Sequence, residues 1–189
     1  MKKIIVPICL LPIIFISCKS VVFGWPHYTV NGMIYDFENR PVSGYEICLD
    51  EKKTTSDVTG RFVFSKIPKG EYTLTGMKTG YEKYSGELVI EDDLQVVYIR
   101  VPSQKQLLDL LDDALTKDNL DDALTFMERA NATGVTTTES AFYSAVVFYR
   151  MKKTEQAIGI LKDLIKSGVT DRYVQMFLED LEKKKVNEK

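Results

Sequence analysis

The sequence predicts a two-domain protein in which an all-β sandwich or barrel is followed by an all-α array of helices. Between residues 27 and 102, apolar side chains alternate with polar ones, which is the period of half-buried strands. From Ser103 onward the spacing of the apolar side chains becomes that of amphipathic helices. A basic and then apolar N-terminal segment precedes both regions and predicts a targeting signal.

The N-terminal segment over residues 1–17 is predicted to be a secretory signal peptide. Lys2 and Lys3 give it a basic start, and residues 4–16 form an apolar stretch that contains two prolines. This stretch is shorter than the ~20 residues of a transmembrane helix, and prolines weaken a continuous helix. Cleavage after residue 17 leaves a mature chain that is long enough for one domain or two small ones.

The segment Phe15-Ile16-Ser17-Cys18 resembles the lipobox of bacterial lipoproteins, with Phe15 where leucine is usual. In that family the cysteine thiol receives a diacylglycerol and becomes the new N-terminus. The resemblance implies lipidation of Cys18, a lipidated tether over residues 18–26, and a membrane-anchored lipoprotein of the bacterial cell envelope, at the inner or the outer membrane. A signal peptide cleaved elsewhere and an uncleaved anchor are the alternatives.

The composition of the chain limits the chemistry it can perform. The full chain carries 25 basic and 27 acidic residues, so it has no basic surplus to neutralise phosphates and we expect no nucleic-acid partner. His27 is the single histidine, which excludes a three-histidine zinc site and leaves few options for a catalytic base. Cys48 is the one cysteine beyond Cys18, so no intrachain disulfide is expected in the mature protein. We predict no catalytic residues, no metal and no cofactor.

The β region over residues 27–102 contains six short runs of alternating polarity, separated by turn-forming residues. The runs lie at 28–35, 45–50, 61–65, 71–75, 88–90 and 96–101. The side chains expected to face the core include Phe62, Phe64, Tyr72 and Leu74. We expect Gly60 and Gly70 to adopt positive φ at tight turns. Asn31-Gly32 is itself a hairpin signal, and as a turn it would leave a very short first strand.

The motifs of this region occur in a defined order. They are Val30-Asn31-Gly32-Met33-Ile34-Tyr35-Asp36 and the segments 40–44, 55–64, 67–74 and 78–82. Together they resemble the carboxypeptidase regulatory-like domain, a transthyretin-like β-sandwich, over about residues 28–101. The resemblance implies that Gly32 lies within the first strand, that the domain has no catalytic residues, and that it serves as an accessory or spacer. The PEGA surface-domain family is similar at Gly80-Tyr81-Glu82, but it does not account for the turn that begins at Asp57.

The helical region is predicted to contain five helices and to end in a tail at 186–189. The expected helix bounds are 104–117, 120–132, 138–151, 155–167 and 171–185. The expected N-cap residues are Ser103, Asn119, Thr136 and Thr154, of which Ser103 and Thr136 form capping boxes with Gln106 and Glu139.

The predicted helices repeat along the chain. A shift of the sequence that superimposes Ala123 on Ala157 also superimposes Gly134 on Gly168. This shift corresponds to a period of ~34 residues, which is that of tetratricopeptide repeats, and residues 103–185 resemble that family. The resemblance implies two helix pairs that are closed by the last helix as a cap. A generic array of helical hairpins is the alternative.

The first helix of each pair lines a concave surface in tetratricopeptide arrays, so the resemblance implies a partner-binding groove. The residues expected to face this groove are Leu108, Asp112, Leu115, Phe142, Val146 and Tyr149. Phe142, Val146 and Tyr149 follow i, i+4, i+7 spacing and share one helix face, which suits a peptide or helix partner. The alternative is that these side chains pack against the capping helix or the β region.

These expectations combine into a functional hypothesis. The protein is predicted to be a lipid-anchored, non-catalytic protein-binding scaffold of the bacterial cell envelope. Its expected partners are a membrane, through the N-terminal lipid, and a protein, while the sequence predicts no oligomeric state. An accessory subunit of an envelope enzyme or transporter is one alternative, and an enzyme in its own right is another.

Overall fold

The computed structural model of the protein describes residues 27–92 and 95–187. The predicted signal peptide, Cys18 and the tether over 18–26 lie outside the described residues. Within the described part of the chain, seven strands are followed by five helices. The predicted succession of a β region and a helical region is therefore confirmed.

The strands form two sheets that pack face to face. They are β1 (His27–Tyr35), β2 (Glu46–Leu49), β3 (Lys52–Thr55), β4 (Arg61–Pro68), β5 (Gly70–Met77), β6 (Tyr84–Ile90) and β7 (Val96–Arg100). One sheet has the order β4-β1-β7 and the other the order β3-β2-β5-β6. β1 and β7 run parallel, whereas the other paired strands are antiparallel. The region is a β-sandwich and not a barrel.

The core of the sandwich lies between the two sheets. On β2 and the residue before it, Tyr45, Ile47 and Leu49 are buried, whereas Glu46 is exposed and Cys48 is half-buried. The core also includes Val30, Ile34, Phe62, Phe64, Ile67, Leu74, Leu88, Ile90 and Ile99, with Tyr72 partly buried against it. The predicted alternation of buried and exposed residues is thus confirmed. Each fully buried large apolar side chain contributes about 1.5–3 kcal/mol to folding.

Gly32 lies inside β1, as the family resemblance implies, and no turn forms at Asn31-Gly32. Gly32 is opposite Phe62 of β4, whose ring covers the glycine. A Cβ atom at Gly32 would lie only 2.0 Å from the Phe62 ring. The glycine is therefore required so that the aromatic ring can fill the core above the strand.

The two glycines expected at positive φ behave differently. Gly60 has φ +78° at the turn before β4, where the Asp57 carboxylate accepts the backbone N–H groups of Thr59 and Arg61 at 2.8 and 3.0 Å. The prediction for Gly70 is wrong, because Gly70 begins β5 without positive φ. The left-handed residue near that hairpin is Lys66 (φ +58°), at the irregularity in the pairing of β4 with β1.

The helical region contains five helices of similar length. They are α1 (Gln104–Thr116), α2 (Leu120–Asn131), α3 (Thr138–Arg150), α4 (Thr154–Lys166) and α5 (Arg172–Asn187). α5 thus continues into the stretch that was expected to form the tail. The N-caps of α1 and α2 are as predicted, because the side chains of Ser103 and Asn119 accept the backbone N–H groups of Gln106 and Asp122.

The N-caps of α3 and α4 differ from the prediction. α3 is capped by a box of Thr137 and Ser140, so the box predicted at Thr136 is wrong by one residue. Two adjacent threonines offer the same hydroxyl, and the chain enters the helix only after the second. α4 follows Lys153 without a side-chain cap hydrogen bond, so Thr154 is the first residue of that helix and the prediction of a cap there is wrong.

The backbone of the helical region repeats between the two helix pairs. Asp118 and Lys152 adopt positive φ, at +56° and +61°, in the short connections within each helix pair. Gly134 and Gly168 adopt positive φ, at +79° and +95°, after the second helix of each pair. The chain therefore makes the same turns at equivalent positions of both pairs.

Two apolar clusters hold the five helices together. The first joins α1, α2 and α3, and the second joins α3, α4 and α5. Ala123 and Ala157, which are equivalent under the shift, are both completely buried between the helices of their pairs. α3 belongs to both clusters because Val147 lies in the first and Ala145 in the second.

Backbone hydrogen bonds attach the helical region to the sandwich. The N–H of Gly80 donates to the carbonyl of Thr133 at 3.0 Å, and the carbonyl of Gly80 accepts the N–H of Gln104 at 2.9 Å. The N–H of Glu82 donates to the carbonyl of Pro102 at 3.0 Å. The loop between β5 and β6 is thereby joined both to the start of α1 and to the loop between α2 and α3.

An ion pair strengthens the same junction, and a buried amide joins the start of α1 to the loop between α2 and α3 on the helical side of it. Arg129 of α2 donates to both carboxylate oxygens of Glu82, at 2.6 and 2.9 Å. The side-chain amide of Gln104, which is buried, donates to the carbonyls of Val135 at 2.6 Å and Ala130 at 3.3 Å. The ion pair and the backbone hydrogen bonds across the junction fix the direction in which the helical region leaves the sandwich.

Candidate binding groove

α1, α3 and α5 line a concave surface, which we call the helical groove. Its first section has a volume of about 540 Å³ and is lined by Asp112, Leu115, Thr116, Glu139, Phe142, Tyr143, Val146 and Arg150. Its second section has a volume of about 480 Å³ and is lined by Thr138, Glu139, Phe142, Asp171, Tyr173 and Val174. Glu139 and Phe142 border both sections, so the two depressions adjoin each other along α3.

The structure brings four of the six predicted site residues together in the first section of the helical groove. Asp112, Leu115, Phe142 and Val146 all line it. Leu108 is instead only 3% exposed and belongs to the core between α1, α2 and α3. Leu108 therefore supports the groove from beneath and offers little surface to a partner.

Tyr149 lies outside both sections of the helical groove and packs against α5. Its ring meets the ring of Phe177 edge-on at 5.6 Å, and its hydroxyl accepts a hydrogen bond from Lys184 at 2.6 Å. Phe142 also packs on Phe177, at 5.9 Å, although it lines the groove as well. The sequence left two alternatives for this face of α3, an open groove or packing against the last helix. The side of α3 that faces Asp112 is open, whereas the end that carries Tyr149 is covered by α5.

Several groove residues were not singled out from the sequence. Glu139 and Tyr143 lie on the same face of α3 as Phe142 and Val146, so extension of the i, i+3, i+4, i+7 pattern finds them. Asp171, Tyr173 and Val174 enter the groove from the start of α5. Their position depends on how α5 packs against α3, which no local spacing predicts.

Carboxylates dominate the electrostatics of the first section. The Tyr143 hydroxyl donates to the Asp112 carboxylate at 3.1 Å. Burial raises the pKa of Tyr143 to about 12, together with this hydrogen bond and the nearby charges of Asp112, Glu139 and Asp109. The phenol therefore remains neutral and acts as a hydrogen-bond donor throughout the physiological pH range.

The groove offers apolar surface, hydrogen-bond acceptors and negative charge. In the part of the chain that the structure describes, no group of three or more histidine, cysteine or acidic residues is placed to hold a metal ion. None of the helices formed by these residues is long and apolar enough to cross a bilayer. The arrangement suits recognition of a segment that combines apolar and polar side chains.

Comparison with known families concerns the sandwich. The carboxypeptidase regulatory-like domain family matches residues 29–101. This stretch is a carboxypeptidase regulatory-like domain. The matched range agrees with that inferred from the motifs, and the carboxypeptidase regulatory-like domain comprises all seven strands of the two sheets. No curated protein shows significant similarity to the sequence.

The chain is also similar to several solved structures. One is a mutant type II cohesin–X-dockerin complex from Acetivibrio cellulolyticus, with 17% identity, 42% of this chain and 60% of that chain covered, and a TM-score of 0.36. Another is BcpA, the major pilin subunit of Bacillus cereus, which is 14% identical and has a TM-score of 0.33. The match covers 41% of this chain and 28% of BcpA. A third is the TIE protein of Bacillus anthracis, which is 15% identical and has a TM-score of 0.32. The match covers 41% of this chain and 16% of the TIE protein. This chain thus spans less than two thirds of the length of each of these proteins.

Proposed function

We propose that this protein is a lipid-anchored, non-catalytic protein-binding scaffold of the bacterial cell envelope. The observation that carries the proposal is the helical groove, two adjoining depressions whose apolar lining includes Leu115, Phe142 and Val146. A groove of this shape suits an extended or helical segment of a partner protein. The junction with the carboxypeptidase regulatory-like domain holds the groove in one orientation.

We infer that the helical region is a pair of tetratricopeptide-like repeats closed by α5. Equivalent turns recur after about 34 residues, which is the period of that family and supports this inference. The completely buried alanines Ala123 and Ala157 support it as well. The first helix of each pair and the closing helix line the same concave side. In arrays of this kind the concave side is the one that receives a partner.

The parallel pairing of β1 with β7 supports a spacer role for the sandwich. Tyr35 at the end of β1 pairs with Arg100 at the end of β7, and α1 begins at Gln104 shortly afterwards. His27, where the tether joins, therefore lies at the opposite end of the sandwich. Nine extended residues in β1 span about 26 Å, given a rise of about 3.3 Å per residue. A lipid on Cys18 would leave the groove directed away from the membrane.

Lipidation itself is tested at Cys18. Cys18→Ser should abolish incorporation of labelled palmitate, because a hydroxyl does not replace the thiolate nucleophile. The substitution should also release the protein from the membrane fraction, since two or three acyl chains give firm binding where one is marginal. Palmitate label that persists in the Cys18→Ser protein would contradict the lipoprotein assignment.

Partner binding is tested by photo-crosslinking in the cell that produces the protein. We would place benzoylphenylalanine at Val146, which lines the groove, in the full-length chain. The control places benzoylphenylalanine at Thr125, which is exposed on α2 and lines neither section of the groove. An adduct specific to Val146 supports the scaffold, and an enzyme or transporter subunit in that adduct supports the accessory-subunit alternative. Equal or absent adducts at the two positions would contradict a partner in the groove.

A further inference from the structure

The charged residues that line the helical groove are mostly acidic. They are Asp112, Glu139 and Asp171, against a single basic lining residue, Arg150. Arg150 is already paired with the carboxylate of Asp118, outside the groove. Among the described residues, neither Asp112 nor Glu139 forms a salt bridge. The lining of the groove is therefore acidic on balance, and the charge of Lys105 acts on Glu139 but forms no salt bridge with it.

Some exposed carboxylates of the helical region have basic partners, whereas others, such as Asp121 and Glu128 of α2, form no salt bridge with a described residue. Asp109 pairs with Lys105 at 3.0 Å, and Glu182 pairs with Lys162 at 2.7 Å. The side chain that engages the Asp112 carboxylate is the neutral hydroxyl of Tyr143, so this contact leaves the negative charge of Asp112 in the groove. The elevated pKa of Tyr143 has nearby carboxylate charge among its causes, after burial, and so agrees with an uncompensated negative potential at this point.

The three groove carboxylates differ in how strongly they act on a ligand. Asp171 accepts the backbone N–H groups of Tyr173 and Val174, at 2.7 and 3.4 Å, and Glu139 lies in the first turn of α3. Both positions place the negative charge beside the positive end of a helix dipole, which offsets part of it. Asp112 lies in the third turn of α1, away from a helix N-terminus. The least offset charge of the groove is therefore at Asp112.

We propose that the helical groove binds a cationic segment of a partner protein, in which apolar side chains flank a lysine or arginine. The apolar side chains contact Leu115, Phe142 and Val146, and the basic side chain lies between Asp112 and Glu139. This inference rests on the proposed scaffold function and adds the charge class of the partner. Complementary charge favours the encounter and discriminates against acidic segments, which would meet uncompensated like charge.

The first test selects ligands without bias. The full-length chain in detergent is exposed to a phage-displayed library of random peptides, and the bound peptides are sequenced. We expect enrichment of peptides that combine lysine or arginine with aliphatic or aromatic residues. Enrichment of acidic or uncharged peptides, or failure to enrich any peptide, would overturn the inference.

The second test measures an enriched peptide by fluorescence anisotropy against matched variants. Asp112→Asn, which keeps an acceptor for Tyr143, should weaken binding by about two- to fivefold, and Glu139→Gln by less, as exposed ion pairs allow. The control Glu128→Gln removes an exposed carboxylate of α2 and should change nothing. Every titration contains the same detergent, so differences between variants report the groove.

Two further measurements are the salt dependence of peptide binding and the oligomeric state of the protein. Raising the ionic strength from about 0.1 to about 1 M shortens the screening length from about 10 to about 3 Å, so the effect of Asp112→Asn should largely disappear. A dissociation constant that Asp112→Asn leaves unchanged at low salt would overturn the inference but not the scaffold function, which the Val146 adducts test separately. If the chain instead forms dimers that Asp112→Asn dissolves, the occupant is a second copy and the proposal of a partner segment is wrong.

Discussion

The sandwich and the helical region are stabilised in different ways. In the sandwich, both sheets share one core, and β1 pairs with strands that are distant in sequence, such as Gly32 with Phe62. The helical region instead has two smaller clusters, each formed by neighbouring helices and joined through α3. Non-local pairing makes a sandwich fold as a whole, whereas stacked helix pairs are stabilised pair by pair.

Because of this difference, the sandwich core and the exposed groove positions of the helices should respond differently to substitution. A substitution in the sandwich core affects both sheets, because both depend on the same apolar contacts. On the groove side of the helices, Asp112 and Glu139 are exposed and contribute little to either cluster. The charged positions of the groove can therefore be substituted while the helices keep their packing, whereas Leu115, Phe142 and Val146 belong to that packing.

The largest expected effect is that of Gly32→Ala. The added methyl group would meet the Phe62 ring at 2.0 Å inside the shared core, so the sandwich should lose about 3–5 kcal/mol or fail to fold. The control is Gly159→Ala in α4, where a Cβ atom meets nothing within 4 Å and stability should rise by about 0.5–1 kcal/mol. Thermal melts by circular dichroism compare the two. An undisturbed melt of the Gly32→Ala protein would contradict the shared-core account.

Phe177→Ala should have the next largest effect and should act on the helical region alone. Removal of the ring leaves Phe142 and Tyr149 without their edge-on partner, at a cost of about 2–4 kcal/mol. Melting followed by helical signal should shift, while the sandwich signal should stay unchanged. Tyr173→Ala, at a residue that is 77% exposed on the same helix, is the control and should change stability by less than about 0.5 kcal/mol. Equal shifts in both regions would show that the two are not stabilised separately.

A smaller effect is expected at the junction. Arg129→Met removes the bidentate ion pair between Arg129 and Glu82. Both side chains are about a third exposed, so the free energy of unfolding should fall by about 1 kcal/mol. We expect calorimetry to resolve a wider or split transition, because the two regions become less coupled. Lys117→Met removes a weaker, exposed pair with Asp113 and is the control. A single unchanged transition in the Arg129→Met protein would place the coupling in the backbone hydrogen bonds of the junction.

The smallest expected effect is a pH dependence of the sandwich. Burial alone would raise the pKa of Asp36, but hydrogen bonds from Arg40 and from the backbone of Glu38 outweigh it and lower that pKa. The contribution of Asp36 to stability is therefore complete above its unfolded pKa of about 3.9 and is lost as the pH falls through the folded value. Asp36→Asn should reduce this part of the acid sensitivity in melts followed from pH 6 to pH 2. An identical pH profile in both proteins would contradict the assignment.

The predictability of the fold followed the strength of its local patterns. The alternation of Tyr45, Ile47 and Leu49 identified β2 because half-buried strands have a period of two residues. β3 was missed because Lys52–Thr55 is polar throughout and pairs only at the edge of its sheet. The helices were found from their apolar spacing, but the cap of α3 was placed one residue early because Thr136 and Thr137 carry the same hydroxyl.

The candidate groove was predicted only where one helix face determines it. Phe142 and Val146 follow from the spacing along α3, and both line the groove. The burial of Leu108 and the covering of Tyr149 by α5 depend on packing between helices, which spacing does not encode. The Glu82–Arg129 pair joins residues that are far apart in sequence and lies beyond any local pattern.

The parallel pairing of β1 with β7 also determines how the protein responds to mechanical force. If the protein is anchored before His27 and binds a partner through the helices, as we propose, tension between these two points would pull β1 and β7 past each other in shear. Their hydrogen bonds, between Asn31–Val96 and Tyr35–Arg100, would then share the force and yield together instead of opening one after another. β4 holds β1 from its other side in the same way. The sandwich would thus transmit a pulling force along the direction of β1 with little extension.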